Sequence, residues 1–142
     1  MTEKRIIGID YGERRIGIAI TDPLMIFVYP LETLFNDNHF WQNFEKLLSA
    51  YEIDKIVLGY PLRQDGSKWQ VTEKIEKFAE ELKSKLKKEV IFADERYTSE
   101  LAKGRVLESI SKRSKRKDKG LLDKNAAAII LEDYLRETNI IK

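Results

Sequence analysis

Hydrophobic and polar positions follow two different periods along this chain. In the first part, short apolar runs rich in β-branched residues predict strands at 5–10, 15–21 and roughly 26–34. Short turns join these runs, so an antiparallel meander is expected. Pro30 lies in the third run and indicates an edge position or a bulge, because proline cannot donate a hydrogen bond to a sheet ladder.

After the third strand, helical spacing alternates with short buried strands. Helices are predicted from about 38 to 51, after a capping box at Ser67 and Gln70 as far as 86, from 98 or 99 to about 110, and from Asp123 onward. Strands are predicted at 55–59 and 90–93. The order β-β-β-α-β-α-β-α-α predicts an α/β fold, with a five-stranded mixed sheet and helices on both faces. Trp41 and the phenylalanines at helical spacing are interpreted as core, not as a platform for nucleobases.

Composition narrows the class of protein. The chain has 142 residues, net charge +2 and no cysteine, which predicts one domain over 1–142 and excludes disulfides and thiol catalysis. No apolar run approaches a membrane span and the start leaves no room for a signal peptide, so a cytoplasmic protein without a membrane partner is expected. His39 is the sole histidine and is interpreted as structural, which disfavours histidine zinc sites and Ser-His-Asp triads.

Basic residues are concentrated in one segment, 112–119. It contains six basic side chains and one acid, and the basic ones are Lys112, Arg113, Lys115, Arg116, Lys117 and Lys119. Such a run repels itself and attracts anions. Taken alone, such a run is more typical of a solvated loop that aids solubility.

Carboxylates occur at three special places. Asp10 ends the first apolar run, Asp94 and Glu95 end the last one, and Asp123 opens the last helix. Each has a plain alternative: a turn residue for Asp10, a helix N-cap for Asp123, and a local ion pair with Arg96 for the other two. Successive strand residues point to opposite faces, so Asp94 and Glu95 are not both expected in one site.

A shared location would give these acids a function. Ligands of open α/β sheets gather beyond the carboxyl ends of the strands, and the first and last strands are both expected near the centre. Converging carboxylates repel one another unless a cation joins them, and Mg²⁺ or Mn²⁺ prefers oxygen ligands. One or two such ions can support in-line phosphoryl displacement by water.

Four motifs together resemble one family. They are GIDYGERRIGIAITDP at 8–23, KIVLGYPLRQDGS at 55–67, DERYTS at 94–99 and DKNAAAIILEDYL at 123–135. Their order and combination are similar to the YqgF family, also called RuvX or the Holliday-junction-resolvase-like nucleases. The resemblance implies an RNase H-like fold and a cytoplasmic bacterial endonuclease that processes the 5′ end of precursor 16S rRNA. It also implies action on branched DNA for some members.

The resemblance carries over residue by residue. Asp10, Glu95 and Asp123 match the family's acids and are the expected catalytic residues and metal ligands, while Asp94 is expected beside them or as a further ligand. Better-studied resolvases have a glutamate at the fourth strand, where this chain has Gly59-Tyr60-Pro61, so Glu95 would supply that carboxylate from another strand. The expected contacts to nucleic acid are Arg14, Arg96, Lys112, Arg113, Lys115, Arg116, Lys117 and Lys119.

The sequence therefore predicts a Mg²⁺- or Mn²⁺-dependent phosphodiesterase acting on structured nucleic acid. RNA is favoured over branched DNA, and precursor ribosomal particles are the expected larger partner. One alternative is a non-catalytic RNA-binding factor of ribosome assembly on the same fold. A second is an actin-like ATPase, because a Gly-Ile-Asp-x-Gly motif also occurs there, but such proteins need two domains to close around ATP.

Overall fold

The computed structural model describes residues 4–60, 72–94 and 119–138, and the side chains of 4–60, 72–93 and 124–138. The strands in these ranges are β1 (Lys4–Asp10), β2 (Arg15–Thr21), β3 (Val28–Phe35), β4 (Glu52–Tyr60) and β5 (Glu89–Asp94). The helices are α1 (Phe40–Leu48), α2 (Thr72–Leu86) and α3 (Lys119–Glu137). The predicted helix ending near 110 and the Ser67–Gln70 capping box lie outside the described residues.

The strands form one mixed sheet in the order β3-β2-β1-β4-β5. The pairs β1–β2 and β2–β3 are antiparallel, whereas β1–β4 and β4–β5 are parallel, so the predicted five-stranded mixed sheet is confirmed. The expectation that the last strand is central is wrong, because β4 takes the place beside β1. The burial explains this order: Ile56, Val57 and Leu58 of β4 are fully buried, while Phe92 of β5 is 43% exposed.

The third strand satisfies both predictions made from its proline. β3 is an edge strand, and its pairing with β2 shifts from Ile18 opposite Glu32 to Ala19 opposite Pro30. Leu31 is therefore the additional residue of a bulge. A missing amide hydrogen is tolerated at such a position, which is why the sequence signal was reliable here.

Helices cover both faces of the sheet, as predicted. On one face, apolar side chains of α1 and α2 pack against β1, β2 and β4, including Phe40, Phe44, Ile75 and Leu82. On the other face, α3 packs through residues such as Ala127 and Leu131. The helical phenylalanines Phe40, Phe44 and Phe78 are core residues as expected, but Trp41 is only half-buried. None of the helices in the described ranges is long and apolar enough to cross a membrane.

Gly8 sets the distance between β1 and α3. A Cβ atom at Gly8 would lie 2.8 Å from Leu131 Cβ and 2.9 Å from the Ala127 carbonyl oxygen, which is closer than real Cβ contacts. A strand residue with a side chain would push the helix outward. The contact therefore holds α3 directly against the central strand.

Helix α3 begins earlier than its sequence pattern suggests. It starts at Lys119, so Asp123 lies inside the helix and the prediction of Asp123 as N-cap is wrong. Gly120 is a poor helix former, so helix propensity does not predict the first turn of α3. Asp123 belongs to the turn that precedes Ala127, which contacts Gly8.

Asp22 organises the loop between β2 and β3. Its Oδ1 accepts hydrogen bonds from the backbone N–H groups of Ile26 and Phe27, both at 2.7 Å, and its Oδ2 accepts one from Leu24 at 3.3 Å. Burial alone would raise the pKa of this carboxyl, but the backbone donors outweigh that cost and lower the pKa. The ordered loop leaves Leu24, Ile26 and Phe27 exposed.

Candidate active site

Asp10 lies at the carboxyl end of the central strand. It is the last residue of β1, is half-buried and stands opposite Gly17 of β2, so it belongs to the sheet rather than to the turn that follows. Side chains alternate along a strand, and Ile6 and Gly8 face α3. Asp10 therefore faces the α3 side as well.

Small residues flank Asp10 across the sheet. Ile9 is opposite Leu58, so the next residues, Asp10 and Gly59, lie side by side, and Gly59 is paired with Ala93. The row at this level is thus Gly17, Asp10, Gly59 and Ala93. Two of its members have no side chain and one has only a methyl group, so no bulky side chain of this row flanks the Asp10 carboxylate.

The Asp10 carboxylate is one ligand of the kind that a hydrated divalent cation takes. Mg²⁺ and Mn²⁺ take hard oxygen ligands, keep several waters and use few protein carboxylates. Glycine at the two flanking positions adds no side chain beside this carboxylate. Sequence reasoning noted that Gly59-Tyr60-Pro61 lacks the glutamate of better-studied resolvases but gave no sign that Gly59 and Gly17 stand on either side of Asp10.

The turn after Asp10 is held in place by Asn36, which sequence reasoning missed. The Asn36 side-chain amide donates to the Gly12 carbonyl at 2.9 Å, and its backbone N–H donates to the Arg14 carbonyl at 2.8 Å. A Cβ at Gly12 would collide with the Arg15 carbonyl oxygen, so glycine is required there. An amide residue directly after a strand was the available signal.

Two other predicted acids, Asp94 and Asp123, are located by their backbone positions. Asp94 ends β5 opposite Tyr60, one step beyond Ala93. Asp123 is one helical turn, about 6 Å, before Ala127. Asp10 is two residues, about 7 Å, beyond Gly8, which contacts Ala127.

Contact among these acids remains a prediction. Glu95 lies outside the described residues, and the side chains of Asp94 and Asp123 are not described. Among the side chains that are described, no group of three or more His, Asp or Glu residues is placed to hold a metal.

The structure describes the positions of two residues that are predicted to contact nucleic acid. Arg14 is exposed on the turn after β1, four residues from Asp10, and Lys119 is the first residue of α3. Beside Arg14, Glu13 forms an ion pair with Lys74 of α2, with an Nζ–Oε1 distance of 3.1 Å. Outside the described residues lie Arg96, Lys112, Arg113, Lys115, Arg116 and Lys117.

Comparison with known proteins gives a consistent family. The family model described as "RuvX: Holliday junction resolvase" matches residues 4–137. A protein of Salinibacter ruber named "Putative pre-16S rRNA nuclease" is 39% identical over 138 residues, covering 96% of this chain and 96% of its own. A protein of the same name from Dictyoglomus turgidum is 40% identical over 133 residues, covering 92% and 93%. Another, from a Sulfurihydrogenibium strain, is 38% identical over 133 residues, covering 92% and 89%.

Proposed function

Because the chain belongs to the RuvX family, we propose that it is a divalent-metal-dependent endonuclease that hydrolyses phosphodiester bonds in structured RNA. One structural observation carries the proposal. Asp10 stands at the carboxyl edge of the central strand between two glycines, so its carboxylate is held at a fixed position with no bulky side chain beside it in the row. Strand ends of α/β sheets are where ligands bind, and a buried strand gives the carboxylate a rigid support.

Asp10, Glu95 and Asp123 are the residues we propose to hold Mg²⁺ or Mn²⁺, as one or two ions. Ala93 supports the choice of Glu95 over Asp94 as a ligand, because Ala93 faces the α3 side together with Asp10 and Glu95 is two residues further along. Asp94 would then support the ligands from beside them. When bound, the metal would supply positive charge at the reacting phosphate and activate water.

The chain's own residues would position the substrate for hydrolysis. Water adds to phosphorus and the bond to the 3′ oxygen breaks, which leaves a 5′-phosphate and a 3′-hydroxyl. Arg14 on the Asn36-braced turn, together with Arg96, would hold phosphates near the scissile bond. The basic residues at 112–119 would bind the backbone further away, through charge rather than base identity.

Precursor 16S rRNA is the substrate we propose, with cleavage at its 5′ end. The support is the shared name of relatives that align with nearly the whole chain. The family description favours a second candidate, branched DNA, since it names a Holliday junction resolvase. Both substrates present phosphates in structured nucleic acid, so the same site would serve either.

The test compares cleavage of a precursor 16S rRNA fragment and a four-way DNA junction, each with Mg²⁺, with Mn²⁺ and with EDTA. We expect metal-dependent cleavage of the RNA, lost in the separate variants Asp10→Asn and Asp123→Asn. The matched control is Asp54→Asn, the same chemical change at the opposite end of β4. Circular dichroism checks that all three variants stay folded.

Four outcomes would count against the proposal. Cleavage that survives both variants would remove the acids from the mechanism, and cleavage in EDTA would remove the metal. Cleavage of the junction alone would make branched DNA the substrate instead of RNA. A folded wild-type protein that binds the RNA without cleaving it under any metal would support a non-catalytic factor of ribosome assembly.

A further inference from the structure

A groove opens on the face of the sheet opposite α3, directly beside the candidate active site. Its volume is about 260 Å³, and it lies between the turn after β1, the start of α1 and one side of α2. Tyr11, which follows Asp10, lines it together with Trp41 and Phe78. Lys74 and Lys77 stand on its α2 side. Nothing in the predicted metal chemistry uses this groove.

The aromatic wall is held in a fixed arrangement. The Tyr11 and Phe78 rings are 4.9 Å apart between centroids, and Trp41 stacks on Phe78 at 5.4 Å with an interplanar angle of 29°. The Trp41 indole N–H donates to the Glu81 carboxylate at 3.2 Å. Phe78 is buried, whereas Tyr11 and Trp41 are half-buried, and Lys85 Nζ lies 5.2 Å from the centroid of the Trp41 ring. Such fixed rings are suited to stacking with an unpaired base.

The cations of the groove are available for exchange. Lys74 and Lys77 are three residues apart on α2, so they lie on the same helix face, and both are exposed. The partner of Lys74, Glu13, is also exposed, with side-chain exposures of 58% and 62% for the pair. An ion pair in water is weak and screened by salt, and a phosphate is a competitive replacement for Glu13.

Two carboxylates limit what the groove can accept. Asp37 accepts a hydrogen bond from the backbone N–H of His39 at 2.9 Å, and Glu81 holds the indole of Trp41. These two acids balance the two lysines, so the groove does not have the excess positive charge that a duplex backbone requires. Its volume is also small, which favours one nucleotide over a helix.

We propose that this groove binds one unpaired nucleotide of the substrate next to the scissile phosphate. The base would lie against Tyr11 and Trp41, and its phosphate would contact Lys74 and Lys77. Asp10 faces α3 while Tyr11 faces α1 and α2, so the bound strand would cross the carboxyl edge of the sheet between these neighbours. The inference rests on the proposed nuclease function, because it places the nucleotide relative to that site.

The test uses Trp41 as its own reporter. The chain has two tryptophans, so a Trp69→Phe protein emits from Trp41 alone. This protein is titrated in EDTA with a short single strand, as RNA and as DNA, and with the corresponding duplexes. We expect saturable quenching by single strands and little by duplexes, and the RNA and DNA arms show which sugar is preferred. Because EDTA removes metal, the result does not depend on cleavage.

Lysine variants identify the phosphate contacts. The change Lys74→Gln with Lys77→Gln should weaken single-strand binding severalfold and lower the slope of log affinity against log salt by roughly 0.7 per lysine. Lys83→Gln on the same helix is the control, because this exposed lysine lies outside the groove and pairs with Glu80. It should leave the affinity of the groove close to that of the parent protein.

Several results would overturn the inference. One is binding of a labelled single strand, seen by anisotropy, with unchanged Trp41 emission. Another is an equal loss of single-strand affinity in the Lys83 control and in the groove variant. Quenching by duplex as strong as by single strand, or no binding by anisotropy or by Trp41 emission, would also overturn it. Groove binding by a protein that never cleaves would reject the nuclease proposal instead, so the two failures are distinct.

Discussion

Gly8 of β1 and Leu131 of α3 approach so closely that a methyl group on Gly8 would stand 2.8 Å from Leu131 Cβ. The Ala127 carbonyl oxygen closes the same space at 2.9 Å. This contact fixes the height of α3 above the central strand. Asp10 lies two residues from this contact on β1, and Asp123 lies about one helical turn from it on α3. The distance between the two acids therefore depends on the height of α3 above the strand.

Gly8→Ala should therefore lower both stability and activity. The added methyl group meets a backbone atom that cannot rotate away, and overpacking of this kind costs about 1–3 kcal/mol of unfolding free energy. Urea denaturation measures the loss of unfolding free energy, and Mn²⁺ titration measures the affinity of the candidate site for metal. The control is Ile6→Val, a buried residue of the same layer that loses a methyl group without moving α3. A Gly8→Ala protein as stable as the parent would contradict the close approach.

The two acids after β5 should differ in their effect on metal binding. Glu95→Gln is expected to reduce Mn²⁺ affinity more than Asp94→Asn, because Ala93 faces the α3 side with Asp10 and alternation favours Glu95 over Asp94. Substitution of a residue that supports a metal ligand lowers the metal affinity about 10- to 100-fold. Isothermal titration calorimetry measures both variants. Glu89→Gln, at the start of the same strand, is the control, and the reverse order would reject the assignment.

Asp22→Asn should destabilise the protein in a pH-dependent manner. The pKa of Asp22 is lowered in the folded state from an ordinary value of 3.8, so its charged form stabilises the fold above that value. This contribution is lost as pH falls through the folded pKa. The melting-temperature difference between parent and variant should be largest near neutrality and shrink below about pH 4. A difference independent of pH would show that the charge has no role.

The basic segment should determine how nucleic-acid binding responds to salt. Replacing Lys115, Arg116 and Lys117 with glutamine should lower the slope of log affinity against log salt by roughly 0.7–0.9 per residue. The control removes the same charge from exposed lysines elsewhere, at Lys83, Lys87 and Lys88. Binding isotherms at several salt concentrations provide the slopes. Equal changes in the two triple variants would mean that only net charge matters.

Local chemistry was readable from the sequence where one residue determines the outcome. Pro30 predicted both an edge strand and a bulge, because a missing amide hydrogen has the same consequence in any sheet. Asp123 shows the limit of that approach. An aspartate before a helical run is a good N-cap, but the helix had already begun at Lys119, and capping preference does not exclude an earlier start.

The order and register of the strands beyond the antiparallel meander were not predictable from the sequence. The edge position of β5 depends on which strand buries both faces, and β4 does so through Val57 and its neighbours. The row that places Gly17 and Gly59 beside Asp10 depends on two registers, one antiparallel and one parallel. A register joins residues far apart in the chain, so the residue types alone did not predict which residues flank Asp10.

The bulge at Pro30 also affects how separate molecules meet. An outer strand with free amide and carbonyl groups can recruit a strand from another chain, and such pairing spreads into fibrils. Apolar side chains are exposed close to this border, among them Phe27 at 59% and Phe35 at 68%. By removing one amide hydrogen and bending the strand, Pro30 and Leu31 interrupt the continuous template that intermolecular sheet growth requires. Replacing this proline would thus be felt first in solubility during expression, rather than in catalysis.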